Sequence, residues 1–163
     1  MSNIDYVKFE QIKPAEFLPL LNKSSTREHL IRHEQFDLES VKAWMQSKIE
    51  VNACEGCRAR AITVDKQLAG WCGIQRGDEE CEDEQCEVGC YEIAVVIDDR
   101  YWGLGKFIFR DVMTWAKELG HSTILIHFLH TRPEYKFLRA MSKRVYESEL
   151  MGSKFTTYEL EVK

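Results

Sequence analysis

The sequence predicts a single mixed α/β domain, and three observations carry that expectation. Short apolar segments of strand character, among them CYEIAVVI and STILIHFLH, alternate with segments whose apolar residues recur at helical spacing. The 163 residues are 44% apolar, a length that buries roughly 68–70% of the unfolded surface in one core. No internal repeat and no Gly-, Ser- or Pro-rich linker divides the chain, so residues 1–163 read as one unit.

The elements follow in order. Tyr6–Ile12 alternates and reads as a first strand. Pro14 suits the first turn of a short helix, which Pro19 is expected to interrupt. Ser25-Thr26-Arg27-Glu28 matches a capping box ahead of a helical stretch through Glu34. Asp37 caps the next helix, whose apolar face is Leu38, Val41, Met45 and Ile49. Arg58–Val64 and Gln67–Arg76 read as strands joined by a hairpin at Asp65-Lys66. Cys90–Ile97 is apolar enough for a central strand. Leu104, Ile108, Val112, Trp115/Ala116 and Leu119 keep helical spacing, and Gly120 stands where a helix ends. Ser122–His130 is a further buried strand. Pro133 opens a helix running to about Arg144, followed by strands near Tyr146–Leu150 and Phe155–Val162. The order is β-α-α-β-β-β-α-β-α-β-β, with an antiparallel front and one helical crossover.

Composition excludes several classes. Apolar content and 18 aromatics exclude a disordered chain, and three prolines exclude a collagen-like one. No apolar run approaches the ~18–20 residues needed to span a bilayer, and the first residues lack a signal-peptide pattern, so a cytoplasmic chain with no membrane partner is expected. Net charge is −5, yet residues 78–87 alone carry seven acids, which leaves +2 for the rest and +4 from Arg100 onward. The second half suits an anionic small ligand. The basic stripe and high pI of a nucleic-acid binder are missing.

The join after CYEIAVVI is the most informative piece. Asp98-Asp99-Arg100-Tyr101-Trp102-Gly103-Leu104-Gly105-Lys106 carries a buried strand into glycines that open an amphipathic helix. Such a turn aims backbone N–H groups and the positive helix end at one spot, which suits phosphate oxygens. Gly103 and Gly105 let a ligand approach without a Cβ in the way. A P-loop would need four residues between its glycines and then Gly-Lys-Ser/Thr, but one residue separates them and Phe107 follows Lys106. A dinucleotide fingerprint would need a third glycine at position 108, which is Ile.

Arg100-x-x-Gly103-x-Gly105, set between EIAVVI and a helix ending WAKELG, resembles the Q/R-x-x-G-x-G/A signature of the GCN5-related N-acetyltransferases, the GNAT superfamily. The element order is also that superfamily's over nearly the whole chain, and Tyr101-Trp102-Gly103 resembles its RimJ/RimL-like branch. The resemblance implies a central splayed strand pair and an acyl donor, usually acetyl-CoA, with no metal required. It places the backbone of Val95, Val96 and Ile97 along the pantetheine arm. It places the N–H groups of Trp102, Gly103, Leu104, Gly105 and Lys106 around the diphosphate, with Arg100 or Lys106 adding positive charge. The implied activity is acetyl transfer to a primary amine, of a small molecule or a peptide, by direct attack in a ternary complex.

Such a transfer needs a proton acceptor for the amine and a donor for the oxyanion, a strand N–H near the splay serving the second purpose. Glu92 is the first candidate base: it is polar within CYEIAVVI, and GNATs often carry a Glu on this strand. His127, on one face of its strand with Leu125 and Leu129, is the second. The family's N…LYxKxGF pattern, which supplies a thiol-protonating Tyr, is not kept. Aligning Lys143-Arg144-Val145-Tyr146 with KxGF puts Met141 at the Tyr and Val145 at the Gly. Tyr135, one to two turns earlier, is the candidate substitute. The acceptor site implied by the family offers Arg27, His29, Arg32 and His33, with Trp44 nearby; His29 and His33 share a helix face at metal-ligand spacing.

Six cysteines stand at 54, 57, 72, 81, 86 and 90. Cys54-x-x-Cys57 with Cys81-x4-Cys86 forms a loose four-thiolate pattern for structural zinc, with free thiols as the alternative. Cys72 and Cys90 read as buried strand residues. The acidic run at 78–87 would attract a cationic acceptor or simply form a solvated loop. Two alternatives to the enzyme stand beside it: a GNAT-like domain that binds acyl-CoA without catalysis, and a zinc-stapled interaction module. A homodimer is left open.

Overall fold

The computed structural model describes residues 3–23, 35–76, 91–129, 136–150 and 153–163. Seven strands form one sheet: β1 (Ile4–Val7), β2 (Arg58–Val64), β3 (Gln67–Arg76), β4 (Tyr91–Ile97), β5 (Thr123–Leu129), β6 (Ser142–Leu150) and β7 (Ser153–Glu161), in the spatial order β1-β2-β3-β4-β5-β7-β6. The helices are α1 (Pro14–Asn22), α2 (Leu38–Ala53), α3 (Gly105–Glu118) and α4 (Lys136–Met141). Among the described residues the expected mixed α/β order is observed; the helical stretch expected over 25–34 lies outside them.

The hairpin at Asp65-Lys66 has both central residues at positive φ, 50° and 70°, the twist a two-residue connection needs. Asp65 offsets the strain by accepting the Asn3 N–H at 3.0 Å. Asp37 caps α2 by accepting the Ser40 N–H at 2.7 Å. Gly120, at φ +87°, ends α3 as expected: its N–H donates to Lys117 O and that of His121 to Ala116 O.

Several bounds and one face residue differ from the expectation. β1 ends at Val7, and a 3-10 turn at Phe9–Gln11 turns the buried Phe9 into a cluster with Phe17, Trp44 and Trp71. Helix α1 runs through Pro19, because Phe17, Leu20 and Leu21 bury one face and outweigh the lost bond. Leu38, the first residue of α2, is exposed. The last helix stops at Met141, where the Ser142 hydroxyl donates to Leu138 O and the chain joins β7.

The sheet divides two cores. One face, with Ile93, Ile97, Ile124, Ile126, Tyr158 and Leu160, packs on Ile108 and Val112 of α3 and Leu138 of α4. The other, with Ala59, Ala61, Trp71 and Val96, packs on Phe17, Leu20 and Leu21 of α1 and Val41 and Met45 of α2. Among the described residues no helix is long and apolar enough to cross a membrane.

Strands β3 and β4 approach so closely at Gly70 that an added Cβ would lie 2.0 Å from Val96 O. The obstruction is backbone, so Gly70→Ala must displace β4. It is expected to cost about 1–3 kcal/mol, read as a lowered midpoint in thermal unfolding; an unchanged midpoint contradicts this packing.

Candidate active site

The site begins where β4 ends. β4 and β5 are parallel but pair only at Glu92–Leu125 and Ile93–Ile126. Beyond Ile93, β4 stays in register with β3 through the Ile97–Gly70 pair, while no β5 partner continues. Backbone groups on that edge of β4 therefore face a gap, and backbone polar groups need partners. This is the splay that the resemblance implied.

The turn at the gap's end is held by one carboxylate. Asp98 is only 6% exposed. Its N–H donates to Ala69 O, and its side chain accepts the Arg100 N–H at 3.1 Å, an Arg100 guanidinium N–H at 3.2 Å and the Lys23 ammonium at 2.8 Å. Lys23, just after α1, also reaches Asp99 at 2.7 Å. Burial alone would raise the Asp98 pKa, but Lys23 and then Arg100 reverse that and hold it well below the usual carboxylate range.

From Asp99 to Leu104 the chain forms a 3-10 helix that passes into α3 at Gly105. Gly103 and Gly105 are not needed by the fold. Neither has positive φ; a Cβ on Gly103 would meet nothing within 4 Å, and one on Gly105 only Ile97 Cδ1 at 3.8 Å. Glycine in such a segment costs up to about 1 kcal/mol relative to alanine.

Three expected cradle features are modified. The Gly105 N–H already donates to Trp102 O at the 3-10 to α junction, so this amide is not a free donor. The Trp102 indole N–H turns back to the Ile97 carbonyl at 3.1 Å, which engages that end of the expected pantetheine edge. The Arg100 guanidinium is partly neutralised by Asp98. Lys106 is exposed, near the Phe137 ring. Val95 is half-buried and Val96 and Ile97 are buried, so their side chains belong to the two cores.

Glu92 and His127, nominated separately, come together. His127 Nε2 lies 3.2 Å from Glu92 Oε2, and the two side chains keep 33% and 22% exposure, enough to be reached from outside. His127 Nδ1 lies 2.8 Å from the hydroxyl of buried Thr157. Gln75 donates to Glu92 Oε1 at 2.8 Å and accepts from Lys48 at 2.9 Å. Burial opposes the charge of Glu92, but the hydrogen bonds from His127 and Gln75, with the His127 and Lys48 charges, outweigh it and lower its pKa. Lys48, Gln75 and Thr157 were not nominated from sequence. Lys48 alone carried a signal, as the charged residue three past Met45 on the apolar stripe of α2.

Of the remaining nominated residues, the structure describes Trp44, Cys54, Cys57 and Cys72. Trp44 packs among Phe9, Phe17, Phe36 and Trp71. Tyr135, Arg27, His29, Arg32, His33, Cys81, Cys86, Cys90 and the acidic run lie outside the described residues. Cys54 is exposed and Cys57 and Cys72 are buried. Among the described residues no three His, Cys, Asp or Glu side chains gather as a metal site. A cavity of about 450 Å³ lined by Met113, Lys117, Met141 and Lys163 sits at the far end of α3 from the glycine turn.

No protein-family model and no curated protein sequence matches the chain. Solved structures do. The chain is similar to yncA of Salmonella typhimurium, a candidate acetyltransferase solved with its cofactor acetyl-CoA (11% identity, TM-score 0.68, covering 99% of this chain and 94% of that one). It is similar to an acetyltransferase of the GNAT family from Streptococcus pneumoniae (13% identity, TM-score 0.62, 98% and 99% covered). It is also similar to RimL, the ribosomal L7/L12 α-N-protein acetyltransferase in complex with coenzyme A (13% identity, TM-score 0.67, 99% and 94% covered). The chain therefore has the fold of the GNAT superfamily over essentially its whole length. RimL is matched no better than yncA, so the fold does not single out the RimJ/RimL-like branch.

The low pKa of Asp98 has a consequence for stability. Since the folded value lies below the unfolded one of about 3.9, its stabilisation is complete above that value and is lost as pH falls through the folded value. Asp98→Asn is expected to cost about 1–3 kcal/mol at pH 7 and to lose less stability than the parent on acidification below about pH 4. Denaturant unfolding at pH 7 and pH 3 measures both; equal stability at pH 7 contradicts the anchoring role.

Proposed function

We propose that this protein is an acetyl-CoA-dependent N-acetyltransferase that moves an acetyl group to a primary amine by direct attack in a ternary complex. One observation carries the reading: β4 and β5 part beside a glycine turn whose glycines the fold itself does not require. An extended amide-bearing arm such as pantetheine suits the unpaired edge of β4, and a diphosphate suits the helix start at Gly103–Lys106.

Glu92 and His127 sit where the strands begin to part, within reach of a thioester carbonyl lying in the gap. Ionised Glu92 orients a cationic acceptor. A carboxylate with a lowered pKa is by itself a weak base. His127, sharing a hydrogen bond with it, takes up the proton of the attacking nitrogen when its imidazole enters neutral, and the imidazolium so formed is paired with the ionised carboxylate. The ammonium first releases one proton to water; the neutral nitrogen then forms the new bond to the acetyl carbon, its second proton passes to the Glu92–His127 pair, the carbon–sulfur bond breaks, and the thiolate leaves with the electron pair and is protonated by solvent. Among the described residues none is assigned to protonate that thiolate. A cytoplasmic setting and a small-molecule or peptide amine as acceptor belong to the same reading.

Gly105→Glu puts bulk and negative charge at the diphosphate position, and acetyl-CoA affinity is expected to fall roughly a hundredfold, about 2.8 kcal/mol, by calorimetric titration. Unchanged affinity contradicts the placement. Glu92→Gln is expected to lower kcat about a hundredfold with donor affinity retained, the loss being greatest near neutral pH, in a thiol-release assay across amine acceptors. Full activity removes Glu92 from the chemistry. Binding without thiol release from any amine would instead favour the non-catalytic acyl-CoA-binding alternative.

A further inference from the structure

Lys48 stands on the face of α2 that packs against the sheet, outside the chemistry proposed for Glu92 and His127. Its ammonium stands 4.4 Å from the centre of the Trp71 ring and 5.9 Å from that of Trp44, and it donates to Gln75 Oε1 at 2.9 Å. Gln75 in turn pairs with Glu92 across β3 and β4 and donates to it at 2.8 Å.

The orientation of the Gln75 amide follows from its two neighbours. An ammonium has only donors, so it must face the amide oxygen; an ionised carboxylate has only acceptors, so it must face the NH₂. Each neighbour demands the same arrangement. With Lys48 absent, the Glu92 carboxylate alone among the described residues would hold the amide that way round, and the amide oxygen would lose the donor that anchors its other end. Glu92 thus receives one donor on each oxygen, Gln75 on Oε1 and His127 on Oε2, and its carboxylate plane is fixed at the mouth of the gap. Among the described residues the charged or titratable groups acting on Glu92 are Lys48 from α2 and His127 from β5; the remaining members, Gln75 from β3 and Thr157 from β7, are neutral.

We propose that Lys48, acting through Gln75, is a positioning residue that keeps Glu92 oriented and ionised for the transfer reaction. The inference rests on the acetyltransferase reading and deepens it. Aromatic walls at Trp44 and Trp71 favour a cation at this spot and exclude water that would otherwise screen it from Glu92.

The test compares the parent with Lys48→Met, Lys48→Arg and Gln75→Leu, by two readouts. The first is the pH titration of the Glu92 carboxyl followed by carbon NMR, which needs no activity. Lys48→Met and Gln75→Leu are expected to move it to higher pH, and Lys48→Arg to leave it close to the parent. The second is the pH profile of kcat/KM for acetyl transfer, whose acidic limb should move the same way, with roughly a tenfold loss at the optimum. Midpoints of thermal unfolding control for damage to packing; Gln75→Leu keeps the inference testable if Lys48→Met fails to fold. A Glu92 titration unmoved in both variants overturns the inference, whatever the activity. Absence of transfer by the parent, with the titration shifted as expected, would instead count against the acetyltransferase reading alone.

Discussion

Two residue pairs, Glu92–Leu125 and Ile93–Ile126, are all that join the parallel strands at the centre of the sheet, and the rest of the site depends on that short contact. A fully zipped pair would satisfy the backbone of β4 on both edges and leave no room for a ligand. Here β4 remains tied to β3, while β5 is tied to β7 along seven pairs from Thr123 to Leu129. Each strand of the central pair thus belongs to its own antiparallel half. The twist of the two halves is free to open the seam between them.

Two carboxylates flank this seam and do different work. Asp98 lies at the end of β4, is almost wholly buried, and spends its charge on Lys23, Arg100 and a backbone amide. It ties α1 to the strand-to-helix turn and sets the start of α3. Glu92 lies where the strands part, keeps part of its surface open, and is held by Gln75 and His127. Both ionise more easily than usual, but only Glu92 retains an exposed face, the condition for meeting a substrate.

The fold was largely legible because its signals are local and redundant. Strands β2 and β3 have the bounds expected of two strand-like segments around a hairpin at Asp65-Lys66, and Gly120 ends α3 where a helix end is expected. Errors arose where tertiary packing overrode local chemistry. Phe9 left the edge strand for an aromatic cluster, and α1 continued through Pro19 to bury its neighbours. The site was half legible. The glycine turn and both members of the Glu92–His127 pair could be nominated from residue type and position. Their 3.2 Å contact could not, because it spans strands 35 residues apart in sequence. Gln75 and Thr157 looked like ordinary strand positions, and their roles exist only through register: Gln75 opposite Glu92, Thr157 opposite His127. The Gly105 amide, which the resemblance counts among the diphosphate donors, is engaged by a 3-10 turn that depends on Asp98.

An NMR titration of the backbone amides with coenzyme A tests the seam most directly. The amides of Ala94, Val95 and Val96 along the parted edge, together with Gly103 and Lys106 at the helix start, are predicted to shift in a saturable manner. Pantetheine alone should move the first group and leave the second nearly unchanged. Shifts confined to residues away from β4 and the glycine turn, or no saturable shift at all, would contradict a coenzyme A site between β4 and β5.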